Sequence, residues 1–416
     1  MKLAHIIQRT IPAHLTGSER HMYALSKALA HRGHKVNVLT SMAIDLGAFY
    51  SVRDGIKDVR IYKPVERLNS LTIIRFPIHY ELRYLFRLFR DTGKRILKSK
   101  MMESFSELML SGPLIPDIYF YILTQDYDVV HAMTFPYPHT YFAYKAAKRR
   151  GIPFVITPLF HYKFAEYYNP FLLEVLREAD AVIALTNFER KLLLKLGAKR
   201  CYVVPPGIWV NEWRDVKGDD LREKLGLDDY FVVLIPSKRY EKGAAHVLIS
   251  LILLRKSGIK VAAVAFGKPY SRDYYLWECA KRYAIARGVK VRDFNYVSEH
   301  LKKKLYATAD VIAMVSIADA FGIAYLEAWA CGKPVIGART PVMAEVIRDG
   351  TDGFLVEYGN IKEIGKKLML LAKDERLRIS LSENGKQKVL HYDWNYVAKK
   401  MERIYQALIN GEKYSI

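Results

Sequence analysis

Residues 316–337, SIADAFGIAYLEAWACGKPVIG, carry the pattern that says most about the fold of this chain. An apolar, strand-like run at 311–315 precedes them, Gly322 lies in a short loop, and the apolar run that follows has the length of a helix. A helix N-terminus presents free backbone N–H groups and positive partial charge, and both favour phosphate. The segment therefore predicts a diphosphate site at a strand-to-helix corner.

Two carboxylates, Asp319 and Glu327, lie in this segment, and Glu327 sits within the otherwise apolar run 324–330. A solvated helix face would seldom have such a composition. A carboxylate can accept hydrogen bonds from a pair of sugar or ribose hydroxyls, one at each oxygen. We therefore expect Glu327 to bind a second part of the same ligand.

Strand-like and helix-like segments alternate along the whole chain, which predicts doubly wound parallel sheets with ligands at the carboxyl ends of the strands. Predicted strands occupy residues 3–7, 36–40, 129–132, 154–157, 181–185, 202–204, 231–235, 261–266, 289–294, 311–315 and 334–336. Met22, Leu25 and Leu29 share one face of the first predicted helix. Pro205, Pro206 and Gly207 interrupt the alternation, which indicates a domain boundary.

The length of 416 residues exceeds what one core usually supports, and 51% apolar content excludes a largely disordered chain. Neither a signal peptide nor a membrane span is predicted. Cys201, Cys279 and Cys331 are widely spaced and odd in number, without the spacing of a zinc site or a disulfide framework. We expect a reducing, cytoplasmic setting.

The segment 316–337 resembles the Glu-x7-Glu signature of the GT4 family of retaining glycosyltransferases, with Asp319 in place of the first Glu and Glu327 at the second. Phe321-Gly322 and the Cys-Gly-x-Pro-Val-Ile run at 331–336 extend the resemblance. It implies an α/β protein of GT-B fold, with two Rossmann-like doubly wound domains that face each other across a cleft. In that family the first carboxylate and nearby amides hold the donor sugar, and the second carboxylate binds the ribose.

The resemblance also implies the role of each domain. Residues 1–207 would bind the acceptor, with a basic amphipathic insertion at about 62–125. Residues 208–390 would bind the nucleotide-sugar, and a C-terminal helix in 391–416 would cross back to the first domain. The donor would be a UDP- or GDP-sugar of hexose type, the acceptor a hydroxyl of a glycan or a lipid-linked carrier, and the enzyme would need no metal or other cofactor.

A second informative loop is PSKRYEKG at 236–243, which follows a predicted strand. Cations in such a loop can stabilise the charge of a departing diphosphate. The loop resembles the Arg-x-x-x-x-Lys-Gly loop of the family but is about one residue shorter. Lys242 matches the family lysine, whereas the arginine position is either Lys238 or Arg239.

Further positions follow from the resemblance. Gly17 resembles a glycine of the first loop that faces the donor phosphates, and His161, after the strand 154–157, resembles the histidine that faces the sugar. The residues expected at the reacting bond are Lys242, Lys238 or Arg239, Asp319 and His161. The residues expected to bind the donor are Gly17, Gly267, Tyr296, Val297, Phe321, Gly322, Ile323 and Glu327.

The Asp126-Tyr127-Asp128 run matches the Asp-x-Asp metal motif of another glycosyltransferase fold, but it directly precedes the strand 129–132. In this place it resembles the ordinary strand entry of the GT4 family. We therefore predict no metal site.

The net charge of +22 is large, and a cluster of basic residues at 75–100 suggests an anionic partner. Eight basic residues stand there against Glu81 and Asp91, namely Arg75, Arg83, Arg87, Arg90, Lys94, Arg95, Lys98 and Lys100. Leu82, Leu85, Phe86 and Phe89 complete an amphipathic helical pattern. The segment is expected either to bind an anionic membrane surface or to form a lid that packs on the first domain. Nucleic acid is disfavoured, because the other motifs indicate a nucleotide site.

Two alternatives to a transferase that acts on a lipid-linked or cell-surface glycan remain open at this point. One is a nucleotide-sugar epimerase or a glycogen- or sucrose-type synthase on the same fold. The other is a non-catalytic module that binds nucleotide-sugars. The absence of a carboxylate pair typical of double displacement favours transfer without a covalent enzyme intermediate.

Overall fold

The computed structural model describes residues 1–13, 16–50, 63–96, 98–269, 271–317 and 319–412. The chain forms two compact units. The first unit contains Met1–Gly207 and Trp394–Ile416, and the second unit contains Ile208–Asp393.

The first unit is built on one sheet. Its described strands are β1 (Lys2–Ile6), β2 (Lys35–Ser41), β3 (Val65–Leu68), β4 (Leu71–Phe76), β5 (Val129–Met133), β6 (Phe154–Thr157), β7 (Ala181–Ala184) and β8 (Cys201–Val203). They lie in the order β3-β4-β2-β1-β5-β6-β7-β8, and every neighbouring pair is parallel except the antiparallel pair β3–β4. The predicted doubly wound parallel sheet is thus confirmed for this unit.

Helices connect these strands. They are α1 (Gly17–His31), α2 (Tyr80–Arg95), α3 (Lys100–Leu110), α4 (Asp117–Leu123), α5 (Pro138–Arg150), α6 (Pro170–Glu178) and α7 (Asn187–Lys195), with short 3-10 turns at Gly47–Phe49 and Ala165–Tyr168. The predicted apolar face of α1 is buried at Met22, Leu25 and Leu29. The carboxylate of Glu19 accepts a hydrogen bond from the backbone N–H of Thr16 at 2.6 Å and caps this helix.

The antiparallel strands β3 and β4 lie inside the segment that was expected to be an insertion, and sequence reasoning missed them. Arg75, in β4, is buried and not part of a basic surface. Its guanidinium donates to the carbonyl oxygens of Lys63 and Ile11, both at 2.8 Å, and to the carboxylate of Glu66 at 2.6 Å. A buried arginine is tolerated here because its donors are matched. The expectation that Arg75 belongs to an exposed basic cluster is therefore wrong.

The second unit is built on a fully parallel sheet. Its described strands are β9 (Phe231–Ile235), β10 (Val261–Ala265), β11 (Lys290–Asp293), β12 (Val311–Met314), β13 (Val335–Ala338) and β14 (Gly353–Val356). Their order is β11-β10-β9-β12-β13-β14. The chain moves outward to one side from β9 and to the other side from β12, so β9 and β12 flank the point where the strand order reverses. Open parallel sheets bind ligands at this point.

The helices of the second unit cover both faces of its sheet. They are α8 (Asn211–Arg214), α9 (Asp219–Lys224), α10 (Ala244–Lys256), α11 (Ser271–Ile285), α12 (Glu299–Thr308), α13 (Ile323–Ala330), α14 (Pro341–Val346), α15 (Ile361–Lys373) and α16 (Glu375–Val389), with 3-10 turns at Tyr240–Lys242 and Leu390–Tyr392. Strands β9, β10 and β12 are buried almost throughout. This is the reason for their unbroken apolar sequences.

The last helix, α17 (Trp394–Ile409), belongs to the first unit and is attached by buried polar contacts. The phenol of Tyr405 lies 2.5 Å from Nδ1 of His131 and 3.3 Å from Nε2 of His5. His131 also contacts the hydroxyl of Thr157 at 2.8 Å, and His5 contacts the hydroxyl of Ser26 at 2.7 Å. Burial lowers the pKa of His5 to about 3 and the pKa of His131 well below its ordinary value. Both imidazoles are therefore neutral in the folded protein.

These histidines predict acid-sensitive stability. The folded pKa values of both lie below the unfolded value near 6.5, so the unfolded chain binds protons that the folded chain does not bind as the pH falls below about 6.5. For His5, whose folded pKa is about 3, the stabilisation is complete above pH 6.5 and is lost below it at about 1.4 kcal/mol per pH unit. In urea denaturation between pH 7 and pH 4, His5→Gln should flatten the pH dependence of the unfolding free energy by about that amount. The exposed His31→Gln is the control, and equal slopes for wild type and His5→Gln would contradict the prediction.

Candidate functional site

The candidate site of the second unit lies at the carboxyl ends of β9 and β12. The loop after β9 runs through residues 236–243, and the loop after β12 runs through residues 315–322, of which residue 318 lies outside the described part. The backbone N–H of Ile317 donates to the carbonyl oxygen of Glu241 at 3.0 Å. The two loops that sequence analysis singled out are therefore in direct contact.

Gly243 allows these loops to approach each other so closely. Its φ is +71°, in the left-handed region, and a Cβ at this position would lie 2.5 Å from the carbonyl oxygen of Val315. Any other residue would combine an unfavourable backbone conformation with a backbone clash. A glycine is therefore required directly after Lys242, because it permits the close approach of the loops that positions this lysine.

Lys242 and Asp319 form an ion pair between Nζ and Oδ1. Both side chains are largely buried, at 15% and 14% exposure. The resemblance assigned both residues to the reacting bond, and the structure places them beside each other. The side chain of Asp319, although one carbon shorter than Glu, reaches the lysine of the neighbouring loop.

Helix α13 begins at Ile323, four residues after Asp319, so its N-terminus with the free N–H groups lies at the end of this loop. Gly322 precedes the helix with a φ of +87°, and a Cβ there would lie 2.4 Å from the ring of Tyr325. The hydroxyl of Tyr325 donates to the carbonyl oxygen of Met314 at 2.5 Å, which holds the helix on the end of β12. Phe321 is buried, and its ring lies 5.7 Å from that of Tyr392. The first N–H groups of α13, from Ile323 onward, are thus held at the corner.

Glu327, on the next turn of α13, is also largely buried and forms an ion pair with Lys302 of α12. Nζ of Lys302 lies 5.3 Å from the ring centre of Trp213, a distance at which a cation–π interaction is favourable. Lys302 is therefore anchored on two sides. Its ammonium contacts Oε1 of Glu327.

Lys238 and Arg239, between which sequence analysis could not choose, have different surroundings. The ammonium of Lys238 is buried and donates to Oδ1 of Asp293 at 2.7 Å and to Oδ1 of Asn295 at 3.1 Å. Burial raises the pKa of the Asp293 carboxyl, but hydrogen bonds, the one from Lys238 above all, outweigh it and hold the pKa below its usual range. Arg239 is about one-third exposed and pairs with the neighbouring Glu241. Lys238 is thus engaged at the end of β11.

The loops after β10 and β11 contain the other positions expected to contact the donor. The backbone N–H of Gly267 donates to the carbonyl oxygen of Asn295 at 2.8 Å, which joins the two loops. Tyr296 is 60% exposed, and Val297 is half-buried. These positions lie at the carboxyl edge of the same sheet, beside β9 and on the opposite side from β12.

Gly17 and His161 belong to the first unit. Gly17 is the first residue of α1, after the cap residue Thr16. His161 follows β6 and is half-buried, with its ring 5.3 Å from that of Tyr167 and 5.9 Å from that of Phe164. Both positions lie at the carboxyl edge of the first sheet.

The Asp126-Tyr127-Asp128 run has structural partners. Asp128 accepts a hydrogen bond from the backbone N–H of Lys2 at 2.6 Å, Asp126 pairs with Arg150 at 2.9 Å, and Tyr127 is buried. The two carboxylates are thus used at a strand entry.

Sequence reasoning missed Lys302, which touches a candidate ligand-binding carboxylate. It lies in the run Lys302-Lys303-Lys304, which looks like a solvated helix surface. Only Lys302 of the three is buried. The signal that could have found it was its place at the helical spacing of Leu305 and Tyr306, which are buried as well.

Comparisons with known proteins identify the family of the chain. The family model for glycosyl transferases group 1 matches residues 218–388, and the model for Glycosyltransferase Family 4 matches residues 15–212. The chain belongs to the GT4-type group 1 glycosyltransferases. The predicted resemblance to this family is confirmed.

Two relatives of this GT4 protein illustrate the match. An N,N'-diacetylbacillosaminyl-diphospho-undecaprenol alpha-1,3-N-acetylgalactosaminyltransferase of Campylobacter jejuni is 32% identical over 26% of this chain and 29% of its own length. A D-inositol 3-phosphate glycosyltransferase of Segniliparus rotundus is 26% identical over 57% of this chain and 54% of its own length. The match thus spans about a third to a half of these relatives.

A solved structure extends the likeness to the whole fold. The Anabaena protein crystallised with UDP and glucose is 18% identical, with a TM-score of 0.72 over 98% of this chain and 100% of that chain. At this identity the likeness shows the fold alone, and the fold of the GT4 chain is GT-B.

The close contact at Gly243 predicts a specific cost of substitution. Gly243→Ala should lower the free energy of unfolding by about 2–4 kcal/mol, because it adds a backbone clash to the left-handed strain. Gly258→Ala is the matched control, since Gly258 has a φ of +81° but a Cβ added there would meet nothing within 4 Å. It should cost only about 1–2 kcal/mol in urea denaturation. Equal losses would show that the contact with Val315 does not constrain the loop.

Proposed function

We propose that this chain is a retaining glycosyltransferase that moves a hexose-type sugar from a UDP- or GDP-sugar to an acceptor hydroxyl. The observation that carries the proposal is the buried pair of Lys242 and Asp319 in front of the N-terminus of α13. The cation, the carboxylate and the free helix N–H groups converge where the strand order of the second sheet reverses. A sugar diphosphate offers the matching anionic and hydroxyl groups.

In this proposal, Lys242 leaves Asp319 when the donor binds and takes the diphosphate as its partner. Asp319 is then released to accept hydrogen bonds from the donor sugar. Charge grows on the leaving diphosphate as the glycosidic bond breaks, and a preorganised cation stabilises that charge more than it stabilises the ground state. Arg239 is proposed as the second cation of this set, because its side chain is 36% exposed although it pairs with Glu241, whereas that of Lys238 is 2% exposed and lies between Asp293 and Asn295.

In the proposal, the acceptor hydroxyl attacks the anomeric carbon on the same face from which the diphosphate leaves, and the configuration is therefore retained. A phosphate oxygen of the donor takes the proton of the acceptor hydroxyl, the new glycosidic bond forms at the anomeric carbon, and the nucleoside diphosphate leaves. No covalent enzyme intermediate is needed. His161, in the first unit, is proposed to face the transferred sugar.

Glu327 is proposed to bind the ribose of the donor through Oε2, because Lys302 contacts Oε1. The backbone around Tyr296 and Val297 is proposed to contact the base. A solved neighbour was crystallised with UDP and glucose, which supports a nucleotide-sugar donor, and the name of one relative contains a diphospho-undecaprenol-linked sugar, which supports a lipid-linked acceptor. A lipid-linked acceptor is accordingly part of the proposal for this chain.

The central test concerns Lys242. Lys242→Ala should lower kcat roughly 100-fold or more, while the dissociation constant of the donor nucleotide should change by less than about tenfold, because the lysine acts mainly on the developing charge. Turnover is measured with UDP- and GDP-sugars and nucleotide binding by calorimetry. Lys256→Ala, an exposed lysine of α10, is the control.

An unchanged kcat in Lys242→Ala would reject the catalytic role. Product analysis in the same assay separates the other reactions of the fold. An epimerase would convert the nucleotide-sugar without an acceptor, whereas a transferase releases nucleoside diphosphate only as a new glycoside forms.

We also propose that the protein binds an anionic membrane surface and encounters its acceptor there. Helices α2 and α3 pack together on the first unit, where Leu82, Phe86 and Phe105 face its core. Arg83 is buried as well, and its guanidinium donates to the carbonyl oxygens of Gly112 and Leu110, at 2.7 and 2.9 Å. The inner side of α2 is thus a packing face, as the lid hypothesis required.

The outer side of the same helices carries large apolar residues. Tyr84, Leu88, Ile96 and Met101 are 61–74% exposed. Basic side chains are interspersed with them and are exposed or half-exposed, namely Arg87, Arg90, Lys94, Lys98 and Lys100. Most of the net charge of +22 lies in the first unit. Apolar and basic residues on one surface suit the headgroup region of an anionic bilayer.

In the part of the chain that the structure describes, no helix has the length and apolar character needed to cross a membrane.

Vesicle flotation tests this surface. The protein should bind vesicles of phosphatidylcholine with phosphatidylglycerol, and less so at high salt, because exposed charges are screened. The double variant Tyr84→Ser/Leu88→Ser should lower the partition coefficient roughly tenfold or more through loss of apolar burial. The control replaces two exposed apolar residues of the second unit, Tyr275→Ser/Ile379→Ser. Equal recovery with neutral and anionic vesicles would leave only the lid hypothesis.

A further inference from the structure

The loop that carries His161 is held by a buried carboxylate. Oε1 of Glu189 accepts a hydrogen bond from the backbone N–H of Phe160, the residue before His161, at 2.7 Å. Oε2 of the same carboxylate accepts from the backbone N–H of Leu185 at 2.7 Å. Glu189 lies in the first turn of α7, whose N-cap is Thr186. One side chain thus joins the loop after β6 to the loop after β7.

Glu189 is 3% exposed, and its two oxygens are each used by one amide. An ionised carboxylate accepts at both oxygens, whereas a protonated one donates from its hydroxyl and accepts well only at the other. The two-amide arrangement therefore requires the ionised form. Burial raises the pKa of Glu189 to about 7, although the hydrogen bonds from Leu185 and Phe160 oppose the shift.

The backbone beside this contact is in an unusual conformation. Leu159 has a φ of +51°, and Thr134, after the neighbouring strand β5, has a φ of +111°. The backbone N–H of Phe135 donates to the carbonyl oxygen of Pro158 at 3.0 Å and joins these two loops. Such conformations cost free energy and persist where surrounding contacts hold them. Glu189 supplies one of those contacts at the carboxyl edge of the sheet, where ligands bind.

We propose that Glu189 is a positioning residue for His161, which holds the loop 158–161 in the conformation needed for sugar transfer only while its carboxylate accepts from both backbone amides. The inference rests on the proposed function, because it gives His161 its task at the transferred sugar. Glu189 itself touches no substrate in this proposal. It acts through the main chain of Phe160.

A change of activity near pH 7 could also arise from another ionisable group close to Glu189. Among the described residues, we therefore consider the groups that face its carboxylate. The groups that face it are the phenol of Tyr167, the thiol of Cys201 and, beside that thiol, the guanidinium of Arg190. Burial raises the pKa of Cys201 to about 12 and that of Tyr167 far above neutrality. Neither group changes charge near pH 7. Among these groups, a titration in that range therefore belongs to Glu189.

A comparison of Glu189→Gln with wild type tests this assignment. In wild type, kcat/KM should fall as the pH drops through about 7. Glu189→Gln should lower kcat roughly 10- to 100-fold at pH 8 by displacing the histidine loop, with little change in nucleotide affinity, and it should remove the acid limb. Glu178→Gln is the control, because Glu178 of α6 has a side chain that is 42% exposed and pairs with Lys199 on the surface. An acid limb in Glu189→Gln equal to that of wild type, with kcat within twofold, would overturn the proposal.

Hydrogen–deuterium exchange gives a readout that does not depend on activity. In wild type, exchange of a peptide covering residues 158–164, corrected for the intrinsic pH dependence, should be faster at pH 6 than at pH 8. Identical corrected rates at the two pH values would overturn the proposal even if Glu189→Gln did not fold. If exchange of this peptide depends on pH as expected but the protein transfers sugar from no nucleotide-sugar, the proposed function is refuted. The structural role of Glu189 in holding the loop would still stand.

Discussion

The contact between Gly243 and the carbonyl oxygen of Val315 is the constraint on which the candidate site depends. It brings the loop after β9 against the loop after β12, so that a lysine from one and a carboxylate from the other meet. The two strands are neighbours only because the sheet order reverses between them. The meeting of these two side chains is thus a consequence of the sheet topology. It also requires a glycine at position 243, because a Cβ there would clash with the neighbouring loop.

Ion pairing is the second theme of this site. Lys242 pairs with Asp319, Lys302 with Glu327, and Lys238 with Asp293, each largely buried. Pairs of this kind contribute little net stability, since desolvation offsets much of the attraction. They do keep each charge in a defined place before a ligand arrives. In the proposed function, a donor that replaces Lys242 as the partner of Asp319 exchanges one set of charge interactions for another, which would limit the desolvation cost of binding.

The first unit combines rigid and adaptable features. Its sheet is joined to the last helix by a network of neutral histidines and a tyrosine, which requires a dry and well-packed interior. At the carboxyl edge, Glu189 holds a strained loop whose hydrogen bonds depend on ionisation. On its outer surface, α2 and α3 present apolar and basic side chains side by side. These features are separate in the sequence and lie on a single sheet scaffold.

Local patterns in the sequence were enough for much of this structure. The unbroken apolar runs of β9, β10 and β12 and the glycine before α13 predicted the parallel sheets and the strand-to-helix corner that contains Glu327, because each signal lies within one strand or one turn. Local patterns did not predict the partners of the charged residues. Arg75 and Arg83 looked like members of a basic surface and are buried, and Lys302 looked solvated and lies against Glu327. Whether a charged side chain faces water or a buried partner depends on residues far away in the chain, and only the packed tertiary structure brings those residues together.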